Sequence, residues 1–117
     1  MSRAQMVEEA LGVTLPSDYI AFLDEYGCYE DDGEEVYGYD EEIVDPNKIP
    51  CVIGATKILR RTHPELPETF ISLYHTGMEN EQVVMDTSKG HVYMITDDEK
   101  EKIAGSFGEW FTSEILG

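Results

Sequence analysis

Nine carboxylates crowd into the sixteen residues from Glu30 to Asp45: Glu30, Asp31, Asp32, Glu34, Glu35, Asp40, Glu41, Glu42 and Asp45. Side chains of this type can hold a hard cation, serve as general acid and base, or meet a positively charged partner. An EF-hand reading fails on spacing. With Gly33 at the sixth loop position, Cys28 falls first and Tyr39 twelfth, where an acidic ligand and a bidentate Glu are required. That leaves room only for a weak, nonspecific cation site. Paired carboxylates for acid-base work are so abundant here that no pair is diagnostic. A basic protein surface is the partner such a field attracts, and Tyr29, Tyr37 and Tyr39, set among the acids, have the character of interface anchors. Core packing is the competing reading of these tyrosines, above all of Tyr39. The candidate partner-binding residues are therefore Glu30, Asp31, Asp32, Glu34, Glu35, Tyr37, Asp40, Glu41 and Glu42.

The remaining reactive residue types form no recognisable site. His63, His75 and His91 share no short ligand spacing with one another or with Cys28 and Cys51, so no zinc motif is read. Neither cysteine and no serine lies in a nucleophile motif. The expectation is a protein with no catalytic residues, no metal and no cofactor. The two cysteines read as thiols of a reducing compartment.

The charge is polarised along the chain. Eight basic residues against 25 acidic ones give a net charge of −17, and between Ala4 and Asn47 stand fourteen acidic residues with no Lys, Arg or His. A field of this sign repels phosphate backbones and anionic lipid, because nucleic-acid affinity rests on Lys and Arg displacing counterions. It steers basic proteins, raising association rates by roughly 10- to 1,000-fold at low salt. The alternative is a solvated face that only keeps the protein soluble. A length of 117 residues fits one domain. The start lacks a signal-peptide pattern and no run approaches a membrane span, so a cytoplasmic location is expected. Oligomeric state is not legible.

The elements that must position the acid follow from periodicity. Ala4, Val7 and Leu11 recur at helical spacing up to a Gly12 cap. Pro16, Ser17 and Asp18 open a second helix whose apolar stripe is Tyr19, Phe22, Leu23 and Tyr26, with Asp18, Ala21 and Glu25 toward solvent and Gly27 as the stop. A strand is expected around Val36 to Tyr39. Val52, Ala55, Ile58 and Leu59 pattern a third helix, whose Lys57, Arg60 and Arg61 are expected to offset part of the neighbouring acid. Phe70 to His75, Gln82 to Asp86 and His91 to Thr96 read as strands on short connections, hence antiparallel neighbours. Ser106 and Glu109 fit a capping box for a last helix lined by Phe107, Trp110, Phe111 and Ile115.

In this order the landmarks resemble the SUKH superfamily, the Smi/Knr-type domain whose founding members are fungal cell-wall regulators. The resemblance rests on Leu11-Gly12, Leu15-Pro16, Tyr19, Phe22-Leu23 and Tyr26-Gly27. Gly38-Tyr39 in a first strand, Leu66-Pro67, Phe70-Ile71, Asp86, Val92-Tyr93 and the closing Phe107, Trp110 and Phe111 continue it. The chain departs from the pattern at Tyr74 to Asn80, which holds one Gly and no Asp where many relatives carry a turn rich in both. The resemblance implies a single domain over residues 1–117, of α+β class, with a mostly antiparallel sheet and packed N-terminal, middle and C-terminal helices. It also implies protein binding without catalysis: bacterial members are mostly immunity proteins that neutralise a cognate toxin, commonly a nuclease. A basic nuclease groove and an acidic inhibitor are electrostatically matched. The alternative is an intracellular interaction or regulatory module of the same fold that binds a basic partner.

Overall fold

A computed structural model of the chain describes residues 2–31, 33–42, 45, 51–78 and 81–117. Helix α1 (Arg3–Leu11) starts in a capping box: Ser2 Oγ accepts the Gln5 N–H at 3.1 Å and Gln5 Oε1 accepts the Ser2 N–H at 2.9 Å. It buries Ala4, Val7 and Leu11 and ends at Gly12, as their spacing predicts. Helix α2 (Ser17–Glu25) begins after Pro16 and buries Tyr19, Phe22 and Leu23. Tyr26, the fourth residue of its expected stripe, is 38% exposed just past the helix end.

Six strands follow in sequence order as one antiparallel sheet: β1 (Tyr29–Asp31), β2 (Glu34–Val36), β3 (Phe70–His75), β4 (Gln82–Asp86), β5 (His91–Ile95) and β6 (Lys100–Ala104). The class is α+β, as expected. β3, β4 and β5 lie where β-former runs predict them. The first strand does not: the expected strand at Val36 to Tyr39 is replaced by the β1–β2 hairpin, which ends at Val36, while Gly38 makes only an isolated parallel bridge to Cys51.

Helices pack on both faces of the sheet, which is why β3 and β4 are buried almost continuously. On one face Ile71, Met85 and Val92, paired in register, join Tyr19, Leu23, Phe107 and Trp110 in the main core. On the other, Phe70, Val84 and Ile95 pack with Leu59 of helix α3 (Val52–Thr62). The ladder shifts register between Ser72 and Tyr74, and the buried Ser72 N–H donates to Thr56 Oγ1 of α3 at 3.0 Å. Helix α4 (Phe107–Trp110) runs on as a π-helical turn, Phe111–Leu116. Its Ser106 cap accepts the Glu109 N–H at 3.1 Å, and Phe107, Trp110 and Phe111 are buried, as their spacing predicts.

Two charged residues play parts other than those expected. Asp18, read as solvent-facing, accepts the Gly108 N–H at 2.8 Å and so ties α2 to the start of α4. Arg60 does not offset carboxylates through its hydrogen bonds. It donates to the Leu11 and Glu68 carbonyls at 2.7 and 2.9 Å, clamping the end of α1 to the segment before β3.

Candidate protein-binding surface

The acidic segment is a hairpin at one edge of the sheet, since β1 is the terminal strand in the order. Glu30 pairs with Glu35 and Asp31 with Glu34, so carboxylates face carboxylates across both positions. Like charges directly opposite one another destabilise a strand pair. Glu35 responds to this: partial burial and the hydrogen bond and charge of Glu30 hold its carboxyl above the usual range. Among described residues, no Lys or Arg forms an ion pair with Glu30, Asp31, Glu34 or Glu35. Gly33 turns the chain with φ +83°, open space lying where a Cβ would point. Asp32 lies outside the described residues. Glu30 and Asp31 are exposed, Glu34 and Glu35 half-buried.

Behind the hairpin stands an aromatic ladder. Tyr29 meets Tyr26 and Phe111 edge-on, at centroid distances of 5.6 and 5.2 Å. Tyr26, which the spacing assigned to the core stripe, therefore presents an exposed ring beside the acid. Tyr37, expected among the binding residues, does not: it is 3% exposed and lines a cavity of about 280 Å³ against α3. Its carbonyl accepts the Tyr19 hydroxyl at 2.8 Å, and burial pushes its own hydroxyl up to about 12. It belongs to the core rather than to an exposed anchor set, and Tyr39 is half-buried against that core.

Glu41 is positioned by Arg3, the single Lys, Arg or His of the first 47 residues. Arg3 grips the Glu41 carboxylate with Nε and Nη2, the shortest contact 2.9 Å, and donates through Nη1 to the Leu23 carbonyl at 2.7 Å. Glu41 is held below the usual carboxylate range chiefly by this side-chain hydrogen bond. Asp40 Oδ1 accepts the Glu42 N–H at 2.8 Å, and Glu41 and Glu42 are exposed. The whole loop hangs from Gly38, whose neighbour Tyr39 donates its N–H to the Gly27 carbonyl at 3.0 Å. Along the chain the two acidic patches thus flank one buried tripeptide, Val36-Tyr37-Gly38.

The cysteines are ill suited to nucleophilic chemistry. Burial first, then nearby negative charge, pushes the Cys28 thiol up to about 11, and burial raises Cys51 as well, so little thiolate exists at neutral pH. His63 Nδ1 lies 3.0 Å from Thr62 Oγ1 at the end of α3, and His91 sits with its ring centroid 6.4 Å from that of Tyr93. Among the described residues no three His, Cys, Asp or Glu groups gather as metal ligands, and no helix is long and apolar enough to cross a membrane.

Compared with known proteins, residues 2–111 match the family described as SMI1-KNR4 cell-wall, within the SUKH group. No curated protein matches the chain.

Proposed function

This chain belongs to the SMI1-KNR4 family of the SUKH group, and on that premise we propose that it is an immunity protein, binding and neutralising a cognate toxin in the cytoplasm. The acidic hairpin and the Asp40 to Glu42 loop are its binding surface, and a nuclease with a basic substrate groove is the toxin such a surface fits. The family supports the immunity role. The observation that carries the choice of surface is the opposition of Glu30 to Glu35 and Asp31 to Glu34 on an exposed sheet edge. An arrangement that costs the free protein stability is relieved when a partner supplies cations, and local conflicts of this kind concentrate at functional sites. The protein needs no reaction of its own: covering the groove suffices.

The test is co-expression of the chain with the toxin encoded beside it. Wild type should restore growth, and a variant with Glu30, Asp31, Asp32, Glu34 and Glu35 changed to Gln or Asn should protect less at equal cellular abundance. Failure of the wild type to protect would end the immunity reading. Full protection by the variant would reduce the hairpin to a solubilising surface.

A further inference from the structure

One face of the sheet is incompletely covered. Between β2, the outer part of that face and the π-helical turn lies a groove of about 300 Å³. Tyr74, Val83, Met94, Ile103, Trp110 and Ile115 supply its apolar lining, with Val83 and Trp110 as buried floor and Ile103 39% exposed. Glu34 reaches it from the hairpin and Glu114 from the helical side, and no Lys, Arg or His is among the described residues that line it. The Tyr74 ring stacks edge-on to Trp110 at 5.8 Å. Because Glu34 is shared, the groove is continuous with the acidic hairpin.

We propose that this groove receives a cationic segment of the protein partner, one Arg or Lys flanked by an apolar residue, with the apolar side chain on Met94 and Ile103 and the cation between Glu34 and Glu114. The inference rests on the immunity reading and adds the short-range half of the contact to it. Charge complementarity selects the occupant: two carboxylates without a lining cation repel an anionic ligand and leave a neutral apolar one with no use for them. The volume suits one or two side chains, at the small end of ligand clefts. Long basic side chains lay their aliphatic stems on apolar surface and keep the charge at the rim, which this lining matches. The hairpin then governs how fast the partner arrives, and the groove how long it stays.

Trp110 is the single tryptophan of the chain, so its emission reports occupancy directly. The full chain is titrated with three synthetic nine-residue peptides: alternating Arg and Leu, alternating Arg and Ser, and alternating Glu and Leu. The Arg-Leu peptide should shift Trp110 emission saturably and move the amide resonances of Tyr74, Met94 and Ile103. The Arg-Ser peptide should leave Trp110 emission unchanged, and the Glu-Leu peptide should not bind. Ile103→Lys, with an unchanged melting temperature, should weaken the Arg-Leu peptide at least tenfold; Ile115→Lys serves if that variant unfolds. Equal Trp110 responses to the Arg-Leu and Arg-Ser peptides, binding of Glu-Leu, or indifference to the lysine substitution would overturn the proposal. In co-expression, protection that needs the hairpin but not Ile103 removes the groove and keeps the immunity reading. Peptide binding in the groove without any protection by wild type does the reverse.

Discussion

A methyl group at Gly38 would drive into the Gly27 carbonyl oxygen, with the Gly27 carbonyl carbon 2.9 Å away and Phe22 Cε2 at 3.1 Å. Two of these three neighbours are backbone, so relief requires the chain itself to move. Two connections depend on that crossing: the Tyr39 N–H to the Gly27 carbonyl at 3.0 Å, and the parallel bridge to Cys51, in which the Val52 N–H donates to the Gly38 carbonyl at 2.7 Å. Overpacking of a well-packed site costs about 1–3 kcal/mol, and a strained or broken hydrogen bond adds roughly 1 kcal/mol. Gly38→Ala should therefore cost about 3 kcal/mol. With a urea dependence of about 1–3 kcal/mol per molar, the unfolding midpoint should fall by about 1–3 M. Gly33→Ala is the control: its Cβ meets nothing within 4 Å and only the positive φ is strained, worth about 1–2 kcal/mol. Equal midpoints for Gly38→Ala and wild type, or a larger loss at Gly33 than at Gly38, would refute the argument that backbone proximity sets this position.

Trp110→Ala, which empties a site only 2% exposed between Tyr74 and Phe107, should cost about 3–5 kcal/mol in urea unfolding. Tyr19→Phe removes the hydroxyl that satisfies the Tyr37 carbonyl and should cost about 1–2 kcal/mol by the same measurement. Glu35 holds its proton more tightly folded than unfolded, so its contribution to stability falls as pH rises through the interval from the ordinary carboxylate range up to its raised folded value. Glu30→Gln should relieve an opposed pair worth about 0.2–1 kcal/mol and raise the melting temperature at neutral pH by about 1–4 °C, with no gain where all carboxyls are protonated. Glu41 runs the other way: held down by Arg3, it contributes above the ordinary carboxylate range and loses that contribution as pH falls through its lowered folded value. Arg3→Ala should move Glu41 up toward the ordinary range in a carboxyl titration followed by NMR.

The helices and the three central strands were legible because their apolar residues keep one period: Ala4, Val7 and Leu11 at helical spacing, and dense β-formers from Phe70 to Ile95. The hairpin broke that rule. Glu30, Asp31, Glu34 and Glu35 have no apolar alternation and low strand propensity, and the one local signal was the Asp32-Gly33 pair between them. β6 was invisible for a related reason, since Lys100, Glu101 and Lys102 charge the opposite edge of the sheet against pairing. Tyr37 read as surface because acids surround it, yet the chain leaves β2 there and buries Val36, Tyr37 and Gly38 in succession. Asp18 meets Gly108 ninety residues later, a contact no helical wheel displays. Arg3 is the single Lys, Arg or His before Lys48, and that isolation is the sequence signal that it gathers acid.

The central claim is that the acidic hairpin draws in a basic toxin by its field. The direct measurement is the association rate, at two salt concentrations, between the toxin co-purified from the native host and either wild type or the variant neutralised at Glu30, Asp31, Asp32, Glu34 and Glu35. Surface charges are screened over about 8 Å at physiological ionic strength. The wild-type rate should therefore be high at low salt and fall steeply as salt rises, while the neutralised variant associates slowly with little salt dependence and an almost unchanged dissociation rate. Identical association rates and identical salt slopes for the two proteins would contradict the account.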